Sequence, residues 1–201
     1  MTIAIVVFVA SGEREVSEFT EEIPVDQIPV IAPRAIDPHT LRAAQEGDPE
    51  AQIRIAKALL FSGAQDDGHS AEAVRWLQSA AEKDNSAAMA QLGKLYRSGF
   101  GVLQDYDQAV NWIRKAAERG DPDGMLELGR LYRDGVGLPR DPVRAYVWFN
   151  RAAAALHTDA VRDRDDVARS LTAEQLKNAQ AQSSVIEPGR PEALAAKEAK
   201  K

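Results

Sequence analysis

The sequence predicts an all-α solenoid of about three helix-turn-helix repeats, with an added N-terminal capping helix and a C-terminal partial repeat. Three observations carry the prediction. First, residues 84–101 and 120–137 run in phase at 36 residues: Met89, Leu92, Gly93, Leu95, Tyr96, Gly99 and Gly101 fall on Met125, Leu128, Gly129, Leu131, Tyr132, Gly135 and Gly137. The register continues from Asp105, Ala109, Trp112, Ala116 and Ala117 onto Asp141, Ala145, Trp148, Ala152 and Ala153. A fixed period of about 20 to 50 residues marks an array whose units bury their apolar faces against one another. Second, each copy has two apolar runs at helical spacing, separated by Gly-x-Gly, so a unit is a helix, a turn and a helix. Third, the punctuation falls where such helices begin and end. Gly120-Asp121-Pro122 offers a residue tolerant of positive φ, an N-cap carboxylate and a proline at the first helical position, and Asp141-Pro142 repeats the device.

The chain opens on Ile3 to Ala10, an eight-residue apolar run too short to cross a bilayer. Its length suits the apolar part of an export signal, although no Lys or Arg precedes it and Phe8 is a poor residue three before a cut near Ala10. An export signal here would give a periplasmic or envelope-associated protein, and its absence a cytoplasmic one. Glu13 to Arg34 carries Glu13, Glu15, Glu18, Glu21, Glu22 and Asp26 with Pro24, Pro29 and Pro33. Prolines and like charges both oppose a compact core, so the segment reads as an extended linker. The expected organisation is 1–36 mostly disordered, 37–182 as the array, and 183–201 as a frayed tail.

The array is expected to begin at Asp37-Pro38. Leu41 to Ala51 aligns with Arg114 to Gly124 at a shift of 73, which makes residues 38–46 a lone capping helix. In the first full unit Ala51, Ile55 and Ala56 keep that shift, while Ala73, Trp76, Ala80 and Ala81 sit at 72, placing one extra residue near Phe61 to Gly63. In the second unit a helical wheel puts Ala88, Met89, Leu92, Gly93, Leu95 and Tyr96 on the buried arc, and Ala90, Gln91, Lys94, Arg97 and Ser98 on the free one. Its second helix is expected to bury Tyr106, Ala109, Val110, Trp112, Ile113, Ala116 and Ala117, behind a capping box of Asp105 and Gln108. Gly93 and Ala116 are small enough to let helix backbones approach closely. After Phe149 the repeat dissolves. Thr158 to Ala168 is expected to form the first helix of a partial fourth unit, and Thr172 with Gln175 to open a last helix to about Gln182. Arg162, Asp163, Arg164, Asp165 and Asp166 read as a solvated end cap.

Composition excludes several functions. The absence of cysteine removes disulfides, zinc-thiolate sites and thiol nucleophiles together. A net charge of −6 argues against general nucleic-acid binding. The Gly-x-Gly loops follow helices and lack the strand and third glycine of a dinucleotide site, and the acidic cluster lacks the order of a calcium loop. No cofactor, metal or stable membrane span is expected, and the array is expected to be a monomer.

The unit carried by residues 88–117 and 124–153, with its Leu-Gly-x-x-Tyr-x-x-Gly-x-Gly followed by Asp-x-x-x-Ala-x-x-Trp-x-x-x-Ala-Ala, resembles the Sel1-like repeat, a branch of the tetratricopeptide-like α/α solenoids. The resemblance covers about residues 38–182. It implies a right-handed superhelix whose first helices line a concave surface, and an adaptor or scaffold role, in bacteria often in envelope systems. Some cysteine-rich members have been linked to penicillin binding, an activity not carried over to a chain without those cysteines.

Lys57, Lys94 and Arg130 hold equivalent positions on the free arcs of successive first helices, and Arg97 and Arg133 stand one turn further on. Stacked as the resemblance implies, these five form a cationic stripe on the concave surface, a groove for an acidic or carboxylate-terminated peptide. The bland alternative is that they complement helix dipoles. On the groove reading, reversing the charge of Lys94 and Arg130 removes partner capture and leaves the fold intact. Trp76, Trp112 and Trp148 lie on buried arcs and read as core. His39, His69 and His157 read as surface or capping residues, and no catalytic constellation can be assembled. The leading function is a non-catalytic interaction module for a protein or peptide. The rival is a cell-wall-acting or other hydrolase, which would need a pocket gathering strongly shifted titratable groups.

Overall fold

The computed structural model describes residues 36–61 and 67–185, with side-chain surroundings given for 36–61 and 69–183. The export signal and linker expected within 1–35, the extra residue beyond Phe61 and most of the expected tail lie outside them. The described residues form helices α1 (Pro38–Gln45), α2 (Pro49–Phe61), α3 (Asp67–Glu82), α4 (Ser86–Ser98), α5 (Tyr106–Glu118), α6 (Pro122–Asp134), α7 (Pro142–Ala154), α8 (Thr158–Ala168) and α9 (Ala173–Val185), and no strand. The protein is an α/α solenoid.

Local chemistry sets the helix starts. Asp37, Asn85, Asp105, Asp121 and Asp141 each accept a hydrogen bond from a backbone N–H three residues on, occupying one of the donors a helix N-terminus leaves free. Thr172 and Gln175 form a reciprocal capping box, at 2.9 and 3.2 Å. At Asp105 only the aspartate half of the expected box is made. The first helices α4 and α6 end on Gly99 and Gly135 in the left-handed region, at φ of 74° and 72°.

The hairpins are α2/α3, α4/α5 and α6/α7, with α1 packed on α2 and α8 on α7. In α4/α5 and α6/α7 a glycine of the first helix meets a large side chain of the second, where α2 has Ala56. A Cβ on Gly93 would lie 2.3 Å from Ile113, and one on Gly129 would lie 2.6 Å from Phe149, so only hydrogen fits. Between hairpins, a Cβ on Gly124 would meet Ala116 Cβ at 2.6 Å and the Ala117 backbone nitrogen at 2.8 Å. Ala51, Ala88 and Ala160 hold the same repeat position as Gly124, and each is fully buried. Consecutive first helices α4 and α6 touch directly, as do α6 and α8, while α3, α5 and α7 make no comparable approach to one another. From α4 to α8 the first helices lie close while α5 and α7 are splayed, a curvature that puts α4, α6 and α8 on the inner wall.

Three positions differ from the wheel. Ala90 is fully buried, and its equivalents Ile53 and Leu126 are buried too, because the first helix packs against neighbours on two sides while a wheel assumes one. Tyr106 is exposed, since it is the first residue of α5 and lies at the loop edge of its hairpin. Trp76 and Trp112 are only partly buried, while Trp148 is buried on α7, the helix that α9 crosses. That last helix turns back onto α7 and makes little contact with α8, so the fourth unit does not close as a hairpin.

Two substitutions test this packing. Gly124→Ala forces a methyl against backbone that cannot yield, and thermal unfolding is expected to show a loss of about 1–3 kcal/mol. Leu156, which follows α7 at the position of Gly120, is exposed and has a φ of 65°. Leu156→Gly relieves that left-handed strain and is expected to raise stability by about 0.5–1 kcal/mol.

Candidate functional site

The inner wall carries most of the charged side chains that cross from one repeat to the next. On α4, Lys94 Nζ lies 2.9 Å from Asp123 Oδ2 of α6, and Arg97 Nη2 lies 3.1 Å from Glu127 Oε2. On α6, Arg130 Nη1 lies 2.9 Å from Glu127 Oε1 one turn back, and its Nε lies 2.9 Å from Asp163 Oδ2 of α8. Arg133 Nη1 stands 3.6 Å from the same Asp163 oxygen and also pairs with Asp134. The result is a ladder in which each rung joins a cation of one first helix to an acid of the next.

The acids are the buried members. Glu127 is 3% exposed and Asp163 4%, whereas Arg97, Arg130 and Arg133 keep their outer edges in solvent. A carboxylate taken out of water needs partners of opposite charge, and each of these has at least two cations around it. Asp163 is therefore not part of a solvated end cap. Burial works to raise the Asp123 carboxyl, but the hydrogen bonds and charges of Lys94 and His157 outweigh it and hold it below the ordinary carboxylate range. Burial likewise works against the Arg130 cation, and the Asp163 and Glu127 carboxylates overcome it, so its pKa is raised. His157 stands at the N-cap position of α8 without making a cap bond, and its Nε2 lies 3.0 Å from Asp123 Oδ1, a contact between repeats that the sequence did not announce.

The five cations named from the sequence thus share the first helices but not one condition. Lys94, Arg97, Arg130 and Arg133 are engaged by acids of this chain. Lys57 is exposed, and among the described residues no ion pair reaches it. Reversing Lys94 and Arg130 would set new carboxylates against Asp123, Glu127 and Asp163, so the double reversal is a test of folding and not of binding alone. Sequence reasoning missed Asp123, Glu127 and Asp163. The available signal was a separation of 30 residues from cation to acid, made twice, at Arg97 to Glu127 and Arg133 to Asp163.

On the outer wall, Lys115 Nζ lies 4.6 Å from the Trp112 ring centre and Arg151 Cζ lies 4.5 Å from that of Trp148. Trp112 and Trp148 are thus each capped by a cation three residues on, whereas Trp76, with Ser79 at that place, donates its Nε1–H to Glu72. Among the described residues no group of three or more His, Asp or Glu is placed to hold a metal ion, and no helix is long and apolar enough to cross a membrane.

Glu127→Gln leaves the guanidinium groups of Arg97 and Arg130 without their buried anion, and should cost about 1–3 kcal/mol in denaturant unfolding. Asp134→Asn, on the exposed rim, should cost less than about 0.5 kcal/mol. A carboxyl held below its unfolded pKa contributes stability that is present above the unfolded value and lost as pH falls through the folded one. Between about pH 5 and pH 3, Asp123→Asn should therefore lose less stability than the wild type.

Three copies of the Sel1 repeat match this chain, at residues 49–85, 86–121 and 122–155. Among solved structures, a protective antigen of uropathogenic Escherichia coli displaying an SLR fold is 34% identical, with a TM-score of 0.69 over 81% of this chain and 35% of that one. This chain therefore spans about a third of that antigen's length. A Sel1 repeat protein from Oxalobacter formigenes is 35% identical, with a TM-score of 0.55 over 64% of this chain and 96% of that one. None of the curated proteins matches the chain.

Proposed function

The chain belongs to the Sel1 repeat family, and from that premise we propose that it is a non-catalytic adaptor that receives a partner protein or peptide on the inner wall lined by α2, α4 and α6. Sel1 repeat proteins are generally protein-interaction modules, and typically non-catalytic. What supports the finer reading is the contrast between the two walls. The inner wall presents the outer edges of Lys94, Arg97, Arg130 and Arg133 in a fixed order along the superhelix, each held by a buried or half-buried acid. A guanidinium that gives part of its fork to an internal carboxylate keeps N–H donors for another, and because it is already ordered it loses less entropy on binding. The rival hydrolase has no such support: the displaced titratable groups of the inner wall, Asp123, Arg130, Arg133 and Asp134, are members of ion pairs and not a poised acid and base.

Photo-crosslinking in the source cells tests the reading. A photoreactive residue at exposed first-helix positions Ser98 and Asp134 is expected to trap one protein in common, and the same residue at Arg75 and Asn111 on α3 and α5 is expected to trap none. Trapping from the second-helix positions alone would contradict it.

A further inference from the structure

We propose that Arg54, Lys57 and Gln91 form a receiving point for a carboxylate of the partner protein, an open rung of the ladder that this chain closes for itself further along. The proposal rests on the adaptor reading above and names the partner chemistry of one place on that wall. The chain supplies the template. At the third rung the Asp163 carboxylate of α8 lies 2.9 Å from Arg130 and 3.6 Å from Arg133 of the preceding first helix. At the second, the Glu127 carboxylate of α6 lies 3.1 Å from Arg97 of α4. One repeat earlier the residue in the acid's position is Gln91; the counterpart of Arg130 is Lys57, while that of Arg97 and Arg133 is Leu60. That rung keeps one of its two cations and lacks its anion.

Two further observations mark it as open. Arg54, which holds the acid's position one repeat earlier still, adds a second cation on α2, one turn before Lys57. Both side chains are exposed, and among the described residues neither makes an ion pair or a hydrogen bond. The helices α2 and α4 also lie less close than α4 and α6, which are bridged by Lys94 to Asp123 and Arg97 to Glu127. An aspartate or glutamate side chain entering there meets two exposed cations, with the half-buried Gln91, whose amide N–H can donate, at the acid's position on the next first helix. In a chain of net charge −6, two exposed cations one turn apart, neither in an ion pair among the described residues, give an acidic partner a positive spot.

The test uses the full chain and a fluorescein-labelled hexaglutamate peptide, read by anisotropy at about 50 mM salt, with hexaserine as control. Saturable binding of hexaglutamate alone is expected, weakening as salt rises. Gln91→Glu closes the rung from within, and is expected to weaken binding roughly tenfold while the melting temperature holds or rises. The pair Arg54→Gln and Lys57→Gln together is expected to weaken it comparably with an unchanged melting temperature. No binding by the wild type, or equal binding by both variants, overturns the proposal. Binding that appears only after Glu13, Glu15, Glu18, Glu21 and Glu22 are replaced by Gln also overturns it, because the chain's own acidic stretch then holds the rung. The two readings fail separately. Crosslinks from the second helices alone remove the inner-wall adaptor while leaving charge-dependent peptide binding in place, and peptide binding indifferent to Arg54, Lys57 and Gln91 removes only the rung.

Discussion

The fold depends on helix backbones coming closer than ordinary side chains permit. Gly93 under Ile113 and Gly129 under Phe149 draw the two helices of a hairpin together, and Gly124 against Ala116 draws one hairpin onto the next. Each contact pairs a missing or minimal side chain with a filled one, so the close packing of a protein interior is reached in a single register. Repetition of that register at 36 residues turns a local fit into a superhelix. Because α4 meets α6 and α6 meets α8 directly, while α5 and α7 stay apart, the first helices form the inner wall.

Curvature in turn decides the electrostatics. Where α4 approaches α6, and α6 approaches α8, a cation on one helix comes within reach of an acid on the next, and the acid is buried by the same approach. The ladder of Arg97, Glu127, Arg130, Asp163 and Arg133 is a product of that geometry. Buried ion pairs recover little net energy over apolar packing, but an acid left without its cations is costly, so the ladder penalises any other stacking register. The inner wall is thus balanced in charge towards its C-terminal end, and its surplus cations Arg54 and Lys57 gather at the N-terminal one.

Much of this could be read before any coordinates. The repeat, the hairpin unit, the capping helix α1 and the capping box at Thr172 follow from periodicity and local hydrogen-bond chemistry, which act over a few residues. What could not be read depends on contacts between repeats. Ala90 looks like a free residue until a second neighbour is added, and Tyr106 and Trp112 look buried on a wheel that knows nothing of loop edges or of which second helix α9 will cross. The cations were found and their acids were not. A search for free-arc charges treats each repeat alone, whereas Glu127 and Asp163 meet Arg97 and Arg133 only across a repeat boundary.

The most direct measurement concerns the curvature itself. The chain has no cysteine, so spin labels can be placed at chosen pairs without background. Ser98 and Asp134 are exposed equivalents on first helices, and Arg75 and Asn111 are exposed equivalents on second helices, each pair one repeat apart. Double electron-electron resonance on the full chain should give a clearly shorter distance for the first-helix pair than for the second-helix pair. Equal distances, or a shorter one on the second helices, would mean that the first helices do not form the inner wall, and the ladder and its open rung would lose their geometry.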